Sequence, residues 1–182
     1  NVNKAAAAFN AEKLLWVNQQ HMMRTPSARL ADLLAAQLAR LGIECTDRAL
    51  LEGVAALQRE RARTLKEMAE SSRYFFVQEI ELDEKAVRKH LDTAGIAALE
   101  QVHARLLPLA DFSAERVHDV LVGLASELDV GLGKVAQPLR VALCGGAVSP
   151  PIDSTAALIG RLRVLERIDR AISRSQGAAR GA

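Results

Sequence analysis

The sequence predicts an all-α protein, on three observations. Its 182 residues are 49% hydrophobic but only 3% aromatic, and Leu, Ala, Val and Ile carry the apolar content. Ala and Leu are strong helix formers, whereas sheets draw on aromatic and β-branched residues. Apolar residues recur at spacings of three and four in most segments, the helical period. Asn, Asp, Ser or Thr stand ahead of several of these stripes, and Gly or Pro follow them, as helix starts and stops require.

Taken in order, Asn10 caps a first helix through Leu14, Leu15, Trp16 and Val17 to about Met23, with Glu12 at its positive end. Trp16, among three apolar neighbours, is expected to pack in the core. Pro26 suits the first turn of a second helix, whose Leu30, Leu33, Leu34, Leu38 and Leu41 form one stripe ended by Gly42. Thr46 opens a third helix, and the RERARTLKEMAESS stretch reads as a fourth from about Leu57. Four short helices with tight turns make a bundle. Tyr74 to Leu82 (YFFVQEIEL) reads as an extended linker, since a lone strand without a partner is not stable. The expected subdomain boundary falls here, giving 1–73 and 74–182. Beyond it Asp83 caps a helix to about Leu91, and another runs from about Gly95 to Leu107. Ser113 then caps a helix with the stripe Val117, Val120, Leu121, Leu124 and Leu128. The glycines at 131 and 133 mark a turn. The helix GKVAQPLRVAL should kink or break at Pro138, and CGGAVSPPID cannot continue it. A last helix is expected on Leu158, Leu162, Leu165, Ile168 and Ile172, fraying from about Ser175.

Several function classes fall away. No apolar run approaches the roughly 20 residues that span a bilayer, and the N-terminal residues lack a signal-peptide pattern. The chain starts at Asn1 without Met, as expected of a piece of a longer protein. Cys45 and Cys144 make no disulfide framework, so a reducing cytoplasm is the expected setting. The histidines at 21, 90, 103 and 118 fall on separate helices, so no metal site is expected. No nucleophile elbow, phosphate loop or dinucleotide fingerprint occurs.

Charge is more informative than its total. Lys and Arg number 24 against 22 acidic residues, a net +2. Residues 159–182 carry six arginines against Glu166 and Asp169, a net +4, which leaves −2 on the rest. Arg59, Arg63 and Lys66 share a face of the expected fourth helix, with Arg61 beside them. Arg163, Arg167, Arg170 and Arg174 form a second stripe. Such stripes on amphipathic helices are usually solvated faces. Arg140, where Pro138 should end its helix, suits an unstacked base, a phosphate or the helix's own last carbonyls.

The strings FNAEKLLWVNQQHM (9–22), RTLKEMA (63–69), SRYFF (72–76), GKVAQPLRVAL (133–143) and SPPI (149–152) resemble, in order and spacing, the C-terminal half of bacterial glutamyl-tRNA synthetases. The resemblance covers roughly residues 1–172. It implies a helix bundle (1–73) followed by an α-helix cage (74–182), both serving to bind the anticodon loop of tRNA(Glu). The family joins glutamate to tRNA with ATP and Mg2+ in a catalytic domain marked by HIGH-like and KMSKS-like motifs. Neither motif is present, so this chain is expected to be inactive alone, without cofactor or metal. It is also expected to be a cytoplasmic monomer with no DNA or membrane partner. The family arginine three residues before TLKE, which helps read the third anticodon base, corresponds to Arg61. That of PLR corresponds to Arg140, and the hydroxyl and apolar residues at the loop proline to Ser149 and Ile152. Thr and Leu are frequent at the last two positions. Arg61 implies discrimination of glutamate from glutamine tRNA. The resemblance leaves Arg163, Arg167, Arg170 and Arg174 to the RNA backbone or to solvent. A helical protein-interaction scaffold is the competing expectation.

Overall fold

A computed structural model describes residues 10–180, with side chains to residue 175. Among them lie eleven helices and no strand. They divide into two units, Asn1–Arg73 and Tyr74–Ala182.

In the first unit, α1 (Ala11–Arg24) starts where the Asn10 side chain accepts from the Lys13 N–H at 3.1 Å. α2 (Ser27–Arg40) and α3 (Arg48–Gln58, capped by Asp47) form the core pair, burying Leu30, Leu34 and Leu38 with Leu51 and Val54. Burying side chains of this size contributes about 1.5–3 kcal/mol each. Gly42 turns the chain with φ +74°. Two expectations change here. Trp16 is 58% exposed and Leu14 is exposed too, while Met22 is the residue α1 buries. Four consecutive apolar residues wrap around a helix, so they cannot all face one neighbour. The stretch after Leu57 is also not one helix. Residues 59–64 are a turn, and α4 (Leu65–Ser71) starts anew at Thr64, which has extended backbone. Thr64 Oγ1 accepts from the Glu67 N–H at 3.0 Å, while the Glu67 carboxylate accepts from the Arg63 N–H at 2.8 Å. This reciprocal capping starts a helix rather than continuing one. Arg59, Arg63 and Lys66 therefore form no common ridge, and Arg61 is not on a helix.

In the second unit the aromatic residues at its start are helical rather than extended: α5 (Arg73–Phe76) carries Phe75 fully buried, and the extended segment begins at Val77. α6 (Glu84–His90), α7 (Thr93–Leu106) and α8 (Ala114–Glu127) are capped by Asp83, Asp92 and Ser113. On α8, Val117, Leu121 and Leu124 are buried, whereas Leu128, past its end, is exposed. α9 (Gly133–Cys144) runs through Pro138 without ending. The proline removes one bond, to the carbonyl of Lys134, and that residue is exposed, so water can satisfy it. α9 stops instead at Gly145, with φ +82°. The expected last helix is two: α10 (Ile152–Ile159) and α11 (Arg161–Arg180), broken at Gly160 with φ +85°. Leu162 is 72% exposed, and α11 packs through Val164, Leu165, Ile168 and Ala171. α11 does not fray from Ser175 but continues to Arg180.

Candidate nucleic-acid interface

Arg61 sits at the head of the turn between α3 and α4. Its backbone N–H donates to the Gln58 carbonyl at 2.9 Å, and buried Ala62 anchors the turn beside it. The neighbouring arginines are engaged. Arg59 donates to Ser27 Oγ at 3.0 Å and to the Met23 carbonyl at 3.5 Å, and Arg63 pairs with Glu12 at 2.5 Å. The Arg61 side chain is exposed and makes no hydrogen bond or ion pair among the described residues. The turn therefore presents the Arg61 guanidinium to solvent.

In the second unit, Arg140 lies inside α9, one turn before its end, rather than at a helix break. Its Nε donates to Ser149 Oγ at 2.9 Å, and that hydroxyl donates to the Pro150 carbonyl at 2.7 Å. The hydroxyl thus orients the guanidinium through one nitrogen, leaving the terminal nitrogens as donors for a ligand. Arg140 and Ser149, which the resemblance marks separately, are in direct contact. Ile152 is different: it opens α10 and is only 6% exposed, so it belongs to the core. Val148, 79% exposed next to Ser149, is the apolar side chain the loop offers to solvent. Cys144 is free, and burial pushes its thiol up to about 11, so it is not a nucleophile at neutral pH.

The arginine stripe of α11 turns out to serve its own fold. Arg167 is 3% exposed and donates to the carbonyls of Leu143, Tyr74 and Val77 at 2.7, 2.8 and 2.7 Å. Burial pulls its guanidinium down to about 10, which still leaves it charged at neutral pH. Arg163 donates to the Phe75 and Ile159 carbonyls, and Arg170 to that of Gln78. These three hold residues 74–78 against α11. Arg167 is therefore unavailable to an RNA backbone, and Arg163 and Arg170 are committed to carbonyls. Arg174 remains exposed.

Sequence reasoning did not find the groove of about 810 Å³ lined by Lys89, His90, Gln101, Lys134, Gln137 and Pro138. Its residues come from α6, α7, α9 and the turn between α8 and α9, and no spacing along the chain announces them. His90 is held below its ordinary value of 6.5 by burial first, then by Lys89, Lys134 and Arg140, against an opposing pull from Asp92. The surroundings of this groove are thus electropositive. Because the folded-state value lies below the unfolded one, the unfolded chain binds the proton first as pH falls. Stability present above pH 6.5 is lost below it. We expect the urea midpoint to drop between about pH 7 and 5 in the unsubstituted chain, and less so in His90→Gln. Equal drops in both would refute this.

Among the described residues no three His, Cys, Asp or Glu side chains converge as a metal site, and no helix is long and apolar enough to cross a membrane. Comparison with known proteins agrees with an RNA-facing reading. The chain is 46% identical over 172 residues to glutamate–tRNA ligase 1 of Alkalilimnicola ehrlichii, covering 94% of this chain and 36% of that protein. It is equally identical over 171 residues to glutamate–tRNA ligase 1 of Coxiella burnetii strain RSA 493, with the same coverage. The chain thus spans about a third of the length of these relatives. The crystal structure of a glutamate tRNA ligase from Elizabethkingia meningosepticum in complex with its amino acid superposes with a TM-score of 0.82 at 28% identity. It covers 91% of this chain and 32% of that one. A glutamate–tRNA synthetase from Elizabethkingia anophelis gives 0.79 at 30%, with the same coverage. The family model described as an anticodon binding domain matches residues 29–172, most of the chain, and with these helices and that match the chain belongs to the anticodon-binding domain family.

Proposed function

We propose that this chain is the anticodon-reading portion of a glutamate–tRNA ligase, which as a whole attaches glutamate to its tRNA using ATP. The observation that carries the reading is the family match over 29–172, with an accessible arginine in each unit at a position the sequence resemblance marks. Sequence-specific RNA recognition targets unstacked loop bases through arginine and backbone donors. Arg61 supplies donors to the third anticodon base, and Arg140, steadied by Ser149, to another base of the same loop. Lys89 and Lys134 flank the groove near Arg140 and suit phosphates. Ile152 acts from within the core, by shaping the loop after Val148, rather than by broad contact with a base. The α11 stripe contributes at most Arg174 to the RNA backbone.

Among the described residues no three metal-ligating side chains converge, and the sequence has no phosphate loop. Adenylate formation and glutamate transfer belong to parts of such a ligase that this chain does not include. Relatives that are glutamate–tRNA ligases favour the RNA reading over a helical protein scaffold.

The test is titration of the chain with an anticodon stem-loop of tRNA(Glu) at several salt concentrations. Affinity should fall linearly on a log–log scale as counterions are released. Arg61→Ala and Arg140→Ala should each weaken binding by about 1–3 kcal/mol, the scale of a bidentate base contact. Wild-type affinity in both variants would sink the assignment.

A further inference from the structure

Helix α1 has an unusual relation to its unit. It buries only Met22, and Leu14 and Trp16 face outward. Its polar side chains, by contrast, converge on one place, the turn that carries Arg61. Asn18 Nδ2 donates to the Arg63 carbonyl at 2.9 Å, and Gln19 Nε2 donates to the Glu60 carbonyl at 3.1 Å. Those two carbonyls bracket Arg61 and Ala62. Glu12 pairs with the Arg63 guanidinium, and the Met23 carbonyl accepts from Arg59. Adjacent helical residues point about 100° apart, so consecutive amides can grip the turn on either side of the two residues between. From inside the turn the Arg61 N–H is tied to the Gln58 carbonyl. Among the described residues the guanidinium itself has no partner, while the backbone around it is held at three points.

We infer that Asn18 and Gln19 are positioning residues: their side-chain amides clamp the 60–63 turn and so aim Arg61 at its target base. The inference rests on the reading of Arg61 given above. A base-edge hydrogen bond tolerates only small errors in donor position, so a loosened turn lowers discrimination between bases before it lowers the affinity due to phosphate contacts. Both amides serve as donors here, and apolar isosteres remove the clamp without changing side-chain size. Leu and Met are also strong helix formers, so α1 itself keeps its propensity.

The 182-residue chain is titrated with two stem-loops that differ only in the third anticodon base, C or G. The unsubstituted chain should prefer the C loop, and Arg61→Ala should abolish that preference. The double variant Asn18→Leu, Gln19→Met should reduce the preference by about fivefold or more, the lower end of what a base contact confers. Its salt slope and its affinity for the G loop should stay unchanged. Adding Arg61→Ala to the double variant should remove no more preference than Arg61→Ala alone, since the amides act through that residue. Full preference in the double variant, while Arg61→Ala loses it, overturns the clamp and leaves the Arg61 reading standing. Equal weakening toward both loops with a lowered melting temperature also overturns it, showing a purely structural role. No preference in the unsubstituted chain, or a preference retained by Arg61→Ala, defeats the Arg61 reading and the clamp with it. Gln19→Met alone, at an exposed hydrogen bond, keeps the comparison available if the double variant folds poorly.

Discussion

Arg167→Ala is expected to lower the stability of the second unit by about 4 kcal/mol. The guanidinium is buried and makes three short hydrogen bonds to backbone carbonyls, two of them in the segment 74–78. A hydrogen bond to a charged group is worth about 1.5–3 kcal/mol, but three on one cation do not add fully, and desolvating it offsets part of the gain. Truncation orphans the carbonyls of Leu143, Tyr74 and Val77 together and removes the packing of the aliphatic stem. Arg167→Met retains that packing and should lose roughly half as much, separating the two contributions. Urea denaturation followed by circular dichroism measures both. The RNA reading adds a second expectation: Arg167→Met, under conditions where it is folded, binds the stem-loop with an unchanged salt slope. A slope reduced by about one unit would mean that Arg167 neutralises a phosphate after all.

Gly145→Ala should cost about 3 kcal/mol, for two reasons that act together. Gly145 ends α9 with φ +82°, where an L side chain is strained by about 1–2 kcal/mol. A Cβ there would also lie 2.2 Å from the Glu81 carbonyl oxygen, which is backbone and cannot swing aside. The segment around Glu81 would have to retreat, breaking the bond that the Asp83 N–H donates to the Gly145 carbonyl at 2.7 Å. Gly42→Ala provides the control. Its φ is +74°, but nothing lies within 4 Å of the new Cβ, so only the conformational strain of about 1 kcal/mol remains. Equal losses at the two positions would show that the close approach to Glu81 contributes nothing. Because the loop after Gly145 carries Ser149, Gly145→Ala should also weaken stem-loop binding, whereas Gly42→Ala should not.

Much of the fold is legible in the sequence because its signals are local. Asn10, Asp83 and Ser113 each accept from an N–H three residues on, and their identity alone announces the helix start. The break at Thr64 is equally local, since Thr64 followed by Glu67 is a capping box, but the basic residues on either side read as one continuous ridge. Pro138 misleads for the opposite reason. Pro138 lies inside α9, where it frees the carbonyl of Lys134, and the exposure of that residue lets water satisfy the group, so the helix runs on. The site was partly legible: Arg140 and Ser149, nine residues apart, form a hydrogen bond, while the groove between Lys89 and Lys134 has no linear signature.

The arginines mark the limit most clearly. By itself the sequence determined that this chain is helical, where most helices begin, and which motifs place it among anticodon-binding proteins. Those are properties of neighbours within one or two turns. It left Arg167 to the RNA backbone or to solvent, because a period of three and four says which residues share a face and nothing about what covers that face. Tertiary structure decided that Arg167 is spent on carbonyls some 90 residues away in the chain, and that Arg61 has no partner among the described residues. It also decided that Trp16 faces outward and Ile152 inward. A guanidinium binds whichever acceptors the fold brings within 3 Å, so its role belongs to the packing and not to its place in the sequence.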